Sequence, residues 1–308
     1  MKLYMVVIVM LFVFVDLKAC DICGCSIGGN YFGLLPNYNT SFVGIRYKYN
    51  RFNSVHDGEN TFGNDYYHSV DIWGAYSPLR KLQIYASMPY NINKRIENDN
   101  IIKVNGISDI SLMASYNIFD NSRTIGNALK HFIQLGAGVK LPTGKSDIVR
   151  DKHTLPAALQ LGTGSFDYLL NVIYVMRFQN FGFNLTTTCR FTGYNKMNYK
   201  FGNRFSAYPK FYYWWNTNKA ITLVPQVGVD INYADADIQN DKLVAFSGSK
   251  IASLSLGSDL YYKNYTLGFN IQQPIYQHIN DSYTKLKSNF NLQLNYFFNN
   301  KTKISNYE

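Results

Sequence analysis

The stretch Leu286–Phe298, LKSNFNLQLNYFF, decides the fold. Its even positions are Leu286, Ser288, Phe290, Leu292, Leu294, Tyr296 and Phe298, and its odd ones include Lys287, Asn289, Asn291, Gln293 and Asn295. In a β-strand successive side chains point to opposite faces, so a period of two gives one apolar and one polar face.

The same split recurs upstream. Val43, Ile45, Tyr47 and Tyr49 oppose Gly44, Arg46, Lys48 and Asn50, and Ile133, Leu135, Ala137 and Val139 oppose Gln134, Gly136, Gly138 and Lys140. Ile110, Leu112, Ala114 and Tyr116 oppose Asp109, Ser111, Ser115 and Asn117. Ile221, Leu223, Val227, Val229 and Ile231 oppose Thr222, Gln226, Gly228, Asp230 and Asn232. Twelve strands are predicted, at 40–52, 66–77, 81–93, 107–118, 129–141, 158–177, 181–193, 203–214, 219–233, 249–262, 264–275 and 285–298.

Between them, long polar loops (53–65, 94–106, 142–157, 194–202, 234–248, 276–284) alternate with mostly short turns near Pro78, Asn180, Asn218 and Asn264; the turn at 119–128 is longer. Bacterial outer-membrane barrels have an even number of strands, short periplasmic turns and long outer loops. A soluble β-sandwich also alternates. Segments of this length exceed the usual ~5–6 residues of globular strands and suit membrane strands of ~9–11 residues with extensions. Closure satisfies every backbone donor and acceptor in lipid, which an open sheet cannot do. The expected fold class is all-β, a twelve-stranded antiparallel transmembrane barrel.

Composition agrees. Aromatics make up 16% of the 308 residues and charged residues only 16%, against roughly 25% charged in typical soluble domains. Aromatics at segment ends, including Tyr47, Tyr49, Tyr66, Tyr67, Tyr212, Tyr213, Trp214, Trp215, Tyr261, Tyr262, Tyr296, Phe297 and Phe298, are expected to form interfacial girdles. The net charge of +10 is spread along the chain without a basic run; nucleic acid is not an expected partner.

The N-terminus has the anatomy of a secretory leader: Lys2, an apolar run from Tyr4 to Val15, and Ala19 before Cys20. That run is too short to span a bilayer, where about 20 residues are needed. The expected organisation is a signal peptide at 1–19, a Cys/Gly-rich segment at 20–39 serving as a lumen plug or a periplasmic tail, a barrel at 40–298 and a polar tail at 299–308. The expected location is the bacterial outer membrane, with its lipid and the barrel assembly machinery as partners. The apolar alternation ending at Phe298 resembles the signal such machinery reads, although a polar tail follows it.

Cys20, Cys23 and Cys25 form C-x2-C-x-C. Thiolates so spaced can reach one soft cation, copper or zinc. A disulfide and lipidation of Cys20 are the competing readings. Cys189 shares a face with Phe183, Leu185 and Phe191 and is expected to meet lipid as a small hydrophobe.

Arg46, Lys48, Lys140, Arg190 and Lys287, with Asp71, Asp109, Asp167 and Asp230, fall on polar faces and are expected to line the lumen. Paired charges filling a narrow barrel are one reading, and a selectivity field for a polar or anionic solute is the other. Of these, Arg46, Lys48, Lys140, Arg190 and Asp230 are the candidate selectivity residues. Gly144, Lys145 and Ser146 resemble a P-loop, but the upstream Gly138 is one residue too distant and Pro142 intervenes, so they belong to a loop. The five histidines (His56, His68, His131, His153, His278) form no H-x-x-x-H pair, and there is no G-x-S-x-G elbow. No catalytic residues and no required cofactor are expected.

Two stretches carry a resemblance: GAGVKLPTGKSD at Gly136–Asp147 and LQLGTGSFD at Leu159–Asp167. With the strand rhythm over 40–298, the chain resembles a family of bacterial outer-membrane barrels named for the MetA pathway of phenol degradation. CDICGCS at Cys20–Ser26 resembles the version found in Bacteroidetes-type bacteria. The family implies an outer-membrane barrel presumed to pass hydrophobic or aromatic compounds, without catalytic residues. The functional expectation is passive passage of a small-molecule solute. Metal handling by the cysteines and a purely structural barrel are the alternatives.

Overall fold

A computed structural model describes residues 40–56, 61–97, 100–122, 128–150, 152–217 and 220–298. The expected leader at 1–19, the Cys20–Cys25 motif, the rest of 20–39 and the expected tail at 299–308 lie outside the described residues.

Twelve antiparallel strands close into a barrel. They are β1 (Ser41–His56), β2 (Thr61–Leu79), β3 (Leu82–Glu97), β4 in two pieces (Asn100–Ile107 and Ser111–Asp120), β5 (Leu129–Lys140) and β6 (Asp167–Phe178). The second half comprises β7 (Phe181–Thr192), β8 (Arg204–Tyr213), β9 (Ile221–Ala234), β10 (Ser249–Tyr262), β11 (Tyr265–Ile279) and β12 (Thr284–Phe298). Each strand pairs with the next, and β12 returns to β1 with Ser41 opposite Phe298 and Tyr49 opposite Phe290. Among the described residues the main ladder closes on itself, the condition a sheet must meet to sit in hydrocarbon, and the Asn100–Ile107 piece of β4 pairs on one side alone. Both ends of the described chain lie at one rim, the terminal end; the long connections lie at the other, the loop end.

The alternation resolves as expected. Val43, Ile45, Ile72, Leu135, Leu170, Val227, Leu256, Phe269, Leu292 and Leu294 are exposed on the outer wall. So large an exposed apolar surface marks a membrane or interaction face rather than a solvated one. Arg46, Asn50, Asp71, Gln83, Ser115, Gln134, Asn184, Gln226, Asp259, Asn270 and Asn295 are buried inside. Cys189, on the outward parity of β7, is half-buried and free.

Several expectations are corrected. The strand expected at 158–177 begins only at Asp167, because 157–166 belong to a connection that folds into the barrel mouth. The expected loops 53–65 and 94–106 are largely strand, since β1 runs to His56 and β3 to Glu97, extending the wall beyond the predicted rim. Lys287 does not line the lumen. A bulge sets Arg51 opposite Ser288 and Phe52 opposite Leu286, so Lys287 drops out of the pairing. A bulge adds one residue and reverses parity; Leu286 therefore turns inward and Lys287 is exposed. Of the residues expected in girdles, Tyr67, Tyr212, Tyr261 and Phe297 are buried inside the barrel.

Candidate functional site: the barrel lumen

The lumen has three tiers. At the terminal end, side chains from ten strands converge into an apolar, largely aromatic floor of Phe42, Trp73, Ala75, Tyr85, Met113, Phe132, Ile173, Val175, Tyr212, Val224, Tyr261 and Phe297. Phe42 meets the Trp73 edge at 4.6 Å between centroids, and Trp214 stacks on Tyr261 at 5.3 Å. Such pairs add about 0.5–1.5 kcal/mol beyond their burial.

The middle tier is polar and built of ion pairs. Arg46 on β1 pairs with Asp71 on β2, which also accepts from Ser87 Oγ at 2.8 Å. Arg46 lies over the Trp73 ring at 4.5 Å, joining this tier to the floor. Nearer the loop end, level with Phe52, Arg95 holds Asp65 bidentately at 2.7 and 2.9 Å. Lys210 approaches Asp230 at 3.7 Å. The side chains of Lys210 and Asp230 are 0% and 1% exposed, so each needs the other; an uncompensated charge at such a site costs several kcal/mol. The Asp259 carboxylate accepts from Gln226 at 3.2 Å and Gln293 at 3.5 Å.

Between these groups lies a cavity bordered by Arg46, Lys48, Tyr208, Gln226, Asn232, Asp259, Gly268, Asn270, Gln272, Asn291 and Gln293. Its volume is about 20 Å³, and one water position needs roughly 10–15 Å³. This cavity therefore has room for one or two waters.

The outer tier is made by the connection between β5 and β6. β4 breaks at 108–110, where Asp109 turns inward and receives the connection: Gly144 N donates to it at 3.0 Å, Thr163 N at 2.9 Å and Lys140 Nζ at 2.6 Å. Lys140 also reaches Asp167 at 3.2 Å, and Arg190 Nε donates to Asp167 at 2.6 Å. Gly144 and Gly162 touch backbone to backbone: a Cβ on Gly144 would lie 2.9 Å from Gly162 Cα. Gly164 has φ +72°, a left-handed conformation that suits glycine. Held this way, Leu155, Leu159 and Leu161 fill the mouth against Phe52, Tyr67, Val104, Ile251, Ile279 and Leu286. Asn93 Nδ2 donates to the carbonyls of Leu159 at 3.3 Å and Gln160 at 3.4 Å.

Arg46, Lys48, Lys140, Arg190 and Asp230 therefore all lie inside the barrel, but in separate places: Arg46, Lys48 and Asp230 in the middle, Lys140 and Arg190 under the mouth. The paired-charge arrangement applies to all except Lys48. Sequence reading did not single out Lys210, Asp259, Arg95 or Asp65. In β8 both faces are rich in aromatics, Phe205 and Phe211 outside against Tyr208 and Tyr212 inside, which blurs the alternation that would have marked Lys210. Among the described residues no group of three or more His, Cys, Asp or Glu is arranged to hold a metal ion.

No protein-family profile and no curated protein matches the chain. Among solved structures it is similar to the COG4313 outer membrane channel from Pseudomonas putida F1, at 11% identity over 89% of this chain and 100% of that one, with a TM-score of 0.64. Weaker likenesses are to the translocator domain of the autotransporter NalP from Neisseria meningitidis (11% identity, 86% and 90% of the two chains, TM-score 0.42) and the β domain of the Bordetella autotransporter BrkA (11%, 84% and 100%, 0.44). The first establishes a shared outer-membrane-barrel fold.

Proposed function

We propose that this protein is an outer-membrane channel through which a small molecule passes passively, and that the fold described above is its closed state. The observation that carries the reading is the lumen's layering. A polar tier with a small cavity lies between two apolar constrictions, and the outer one is closed by a loop rather than a strand. A merely structural barrel has no need of a polar middle, because buried polar groups are costly unless satisfied. The loop supplies a gate: its anchors are side chains, so it can swing out while the backbone ladder of the barrel stays intact.

We further propose membership of the phenol-degradation MetA-pathway family. The two stretches on which that resemblance rests, Gly136–Asp147 and Leu159–Asp167, are the two that meet at Gly144 and Gly162 to form the gate. Outer-membrane lipid and the barrel assembly machinery are the partners this reading requires.

The test is single-channel recording of refolded full-length protein in a planar bilayer, beside a variant in which residues 145–160 are replaced by a short Gly-Ser linker. Rare, small openings in the wild type and sustained conductance in the variant support a gated channel. A variant that folds, judged by heat-modifiable mobility, yet conducts nothing overturns it.

The spacing of Cys20, Cys23 and Cys25 supports copper or zinc handling as a second role. Metal content of purified protein, wild type against the triple Cys→Ser variant, decides it.

A further inference from the structure

Five lumen cations have carboxylate partners: Arg46 with Asp71, Arg95 with Asp65, Lys140 with Asp109 and Asp167, Arg190 with Asp167, and Lys210 with Asp230. Lys48 is different. It sits inside β1 and borders the cavity, yet among the described residues it makes no hydrogen bond and no ion pair.

Its nearest charged groups are Arg46, two residues along β1, and Asp71, which Arg46 already holds. Across the ladders Lys48 stands opposite Asn291 on β12 and Ser69 on β2, and neither side chain has a hydrogen-bond partner among the described residues. The amide and hydroxyl are free to donate toward whatever Lys48 holds. The two carboxylates closest in the wall are engaged: Asp71 by Arg46 and Ser87, Asp259 by Gln226 and Gln293. Gly268, at the cavity wall, keeps the space open; a Cβ there would meet Asp259 Oδ1 and lie 2.8 Å from Gln293 Nε2.

An ammonium kept from bulk water favours an opposite charge, because partial burial strengthens Coulomb attraction several-fold over water. We infer that Lys48, with Asn291 and Ser69 beside it, is a binding site for a small monovalent anion, a halide or the carboxylate end of a solute, midway along the lumen. The inference deepens the channel reading and rests on it for its role in passage, but the site itself does not require conduction.

Two measurements on the full-length refolded barrel separate the two ideas. The first is bromide anomalous scattering from soaked crystals of the wild type, Lys48→Gln and Lys48→Arg. Bromide at the Lys48 ammonium that disappears in Lys48→Gln and persists in Lys48→Arg supports the site. Bromide absent there in the wild type, or unmoved by Lys48→Gln, overturns it. Acetate that displaces the bromide extends the site to carboxylates, and acetate without effect confines it to halides. The second is the anion-to-cation permeability ratio in a KCl gradient, expected to fall about tenfold in Lys48→Gln. Bromide bound in a barrel that never conducts leaves the site standing and removes the channel. A conducting barrel whose selectivity ignores Lys48 removes the site from the path and leaves the channel. Since Lys48 has no partner to orphan, Lys48→Gln is expected to fold, which heat-modifiable mobility checks.

Discussion

The two apolar constrictions of this lumen close it by different means. The terminal floor is made of side chains that stand on barrel strands: Trp73 on β2, Tyr85 on β3, Tyr212 on β8 and Tyr261 on β10. None can leave the lumen without breaking a ladder. The outer plug is made of Leu155, Leu159 and Leu161 on a connection, attached by hydrogen bonds to Asp109, Asn93 and Ser108. Removing the plug costs those side-chain bonds and one apolar contact surface, while the barrel's own backbone pairing is untouched. Closure by strands is therefore fixed, and closure by a loop is reversible.

The largest effect is expected from Asp109→Ala. It strips the loop of its common acceptor and leaves Lys140 with Asp167 as its remaining carboxylate, a loss of about 3–5 kcal/mol for a broken buried pair. Trypsin should then cut at Lys145 and Arg150 in a barrel that still migrates as folded, and conductance should rise. Unchanged proteolysis and conductance would show that the plug does not depend on this anchor.

Trp73→Ala should cost about 3–4 kcal/mol, the value for deleting a large buried aromatic. Here the loss should appear in urea unfolding of the whole barrel, with trypsin sensitivity of the outer loop unchanged. If the loop loosens as well, the two ends are coupled and the contrast fails.

Gly162→Val is the sharper probe of the plug's seat. A Cβ at that position would meet Asp109 Oδ1 and the Gly144 carbonyl, the latter at 2.6 Å, and overpacking of this kind costs about 1–3 kcal/mol. Conductance intermediate between wild type and Asp109→Ala is the expected result.

Lys287→Gln should do almost nothing, within about 0.5 kcal/mol in unfolding and with unaltered ion selectivity, because exposed substitutions away from special features are nearly silent. A selectivity change as large as that of Lys48→Gln would mean that Lys287 reaches the permeation path from outside the wall.

Much of the fold was legible in the chain because alternation is a local property. Once Val43, Ile45, Leu292 and Leu294 are assigned to the outer face, the polar residues between them must line the interior, and Arg46, Lys48, Lys140, Arg190 and Asp230 follow by parity alone. Parity fails where the backbone adds a residue, so by itself it places Lys287 on the wrong face. It also says nothing about a strand that stops early. The segment 158–166 looks like a continuation of β6, and only the acceptor at Asp109 and the donor at Asn93 show that its chain turns into the mouth.

By itself the sequence determined that this is a closed twelve-stranded barrel with an apolar exterior and a polar interior, because burial of one face at a period of two requires only neighbouring residues. The tertiary structure alone decided which lumen charges neutralise one another, that Lys48 faces a cavity without a carboxylate of its own, and that the lumen closes by a floor at one end and a loop at the other. Those are contacts between strands far apart in the chain, such as Arg46 with Asp71 and Asp109 with Thr163. Their partners are chosen by strand register and by the inward path of a loop, and neither leaves a periodic mark in the residues that make them.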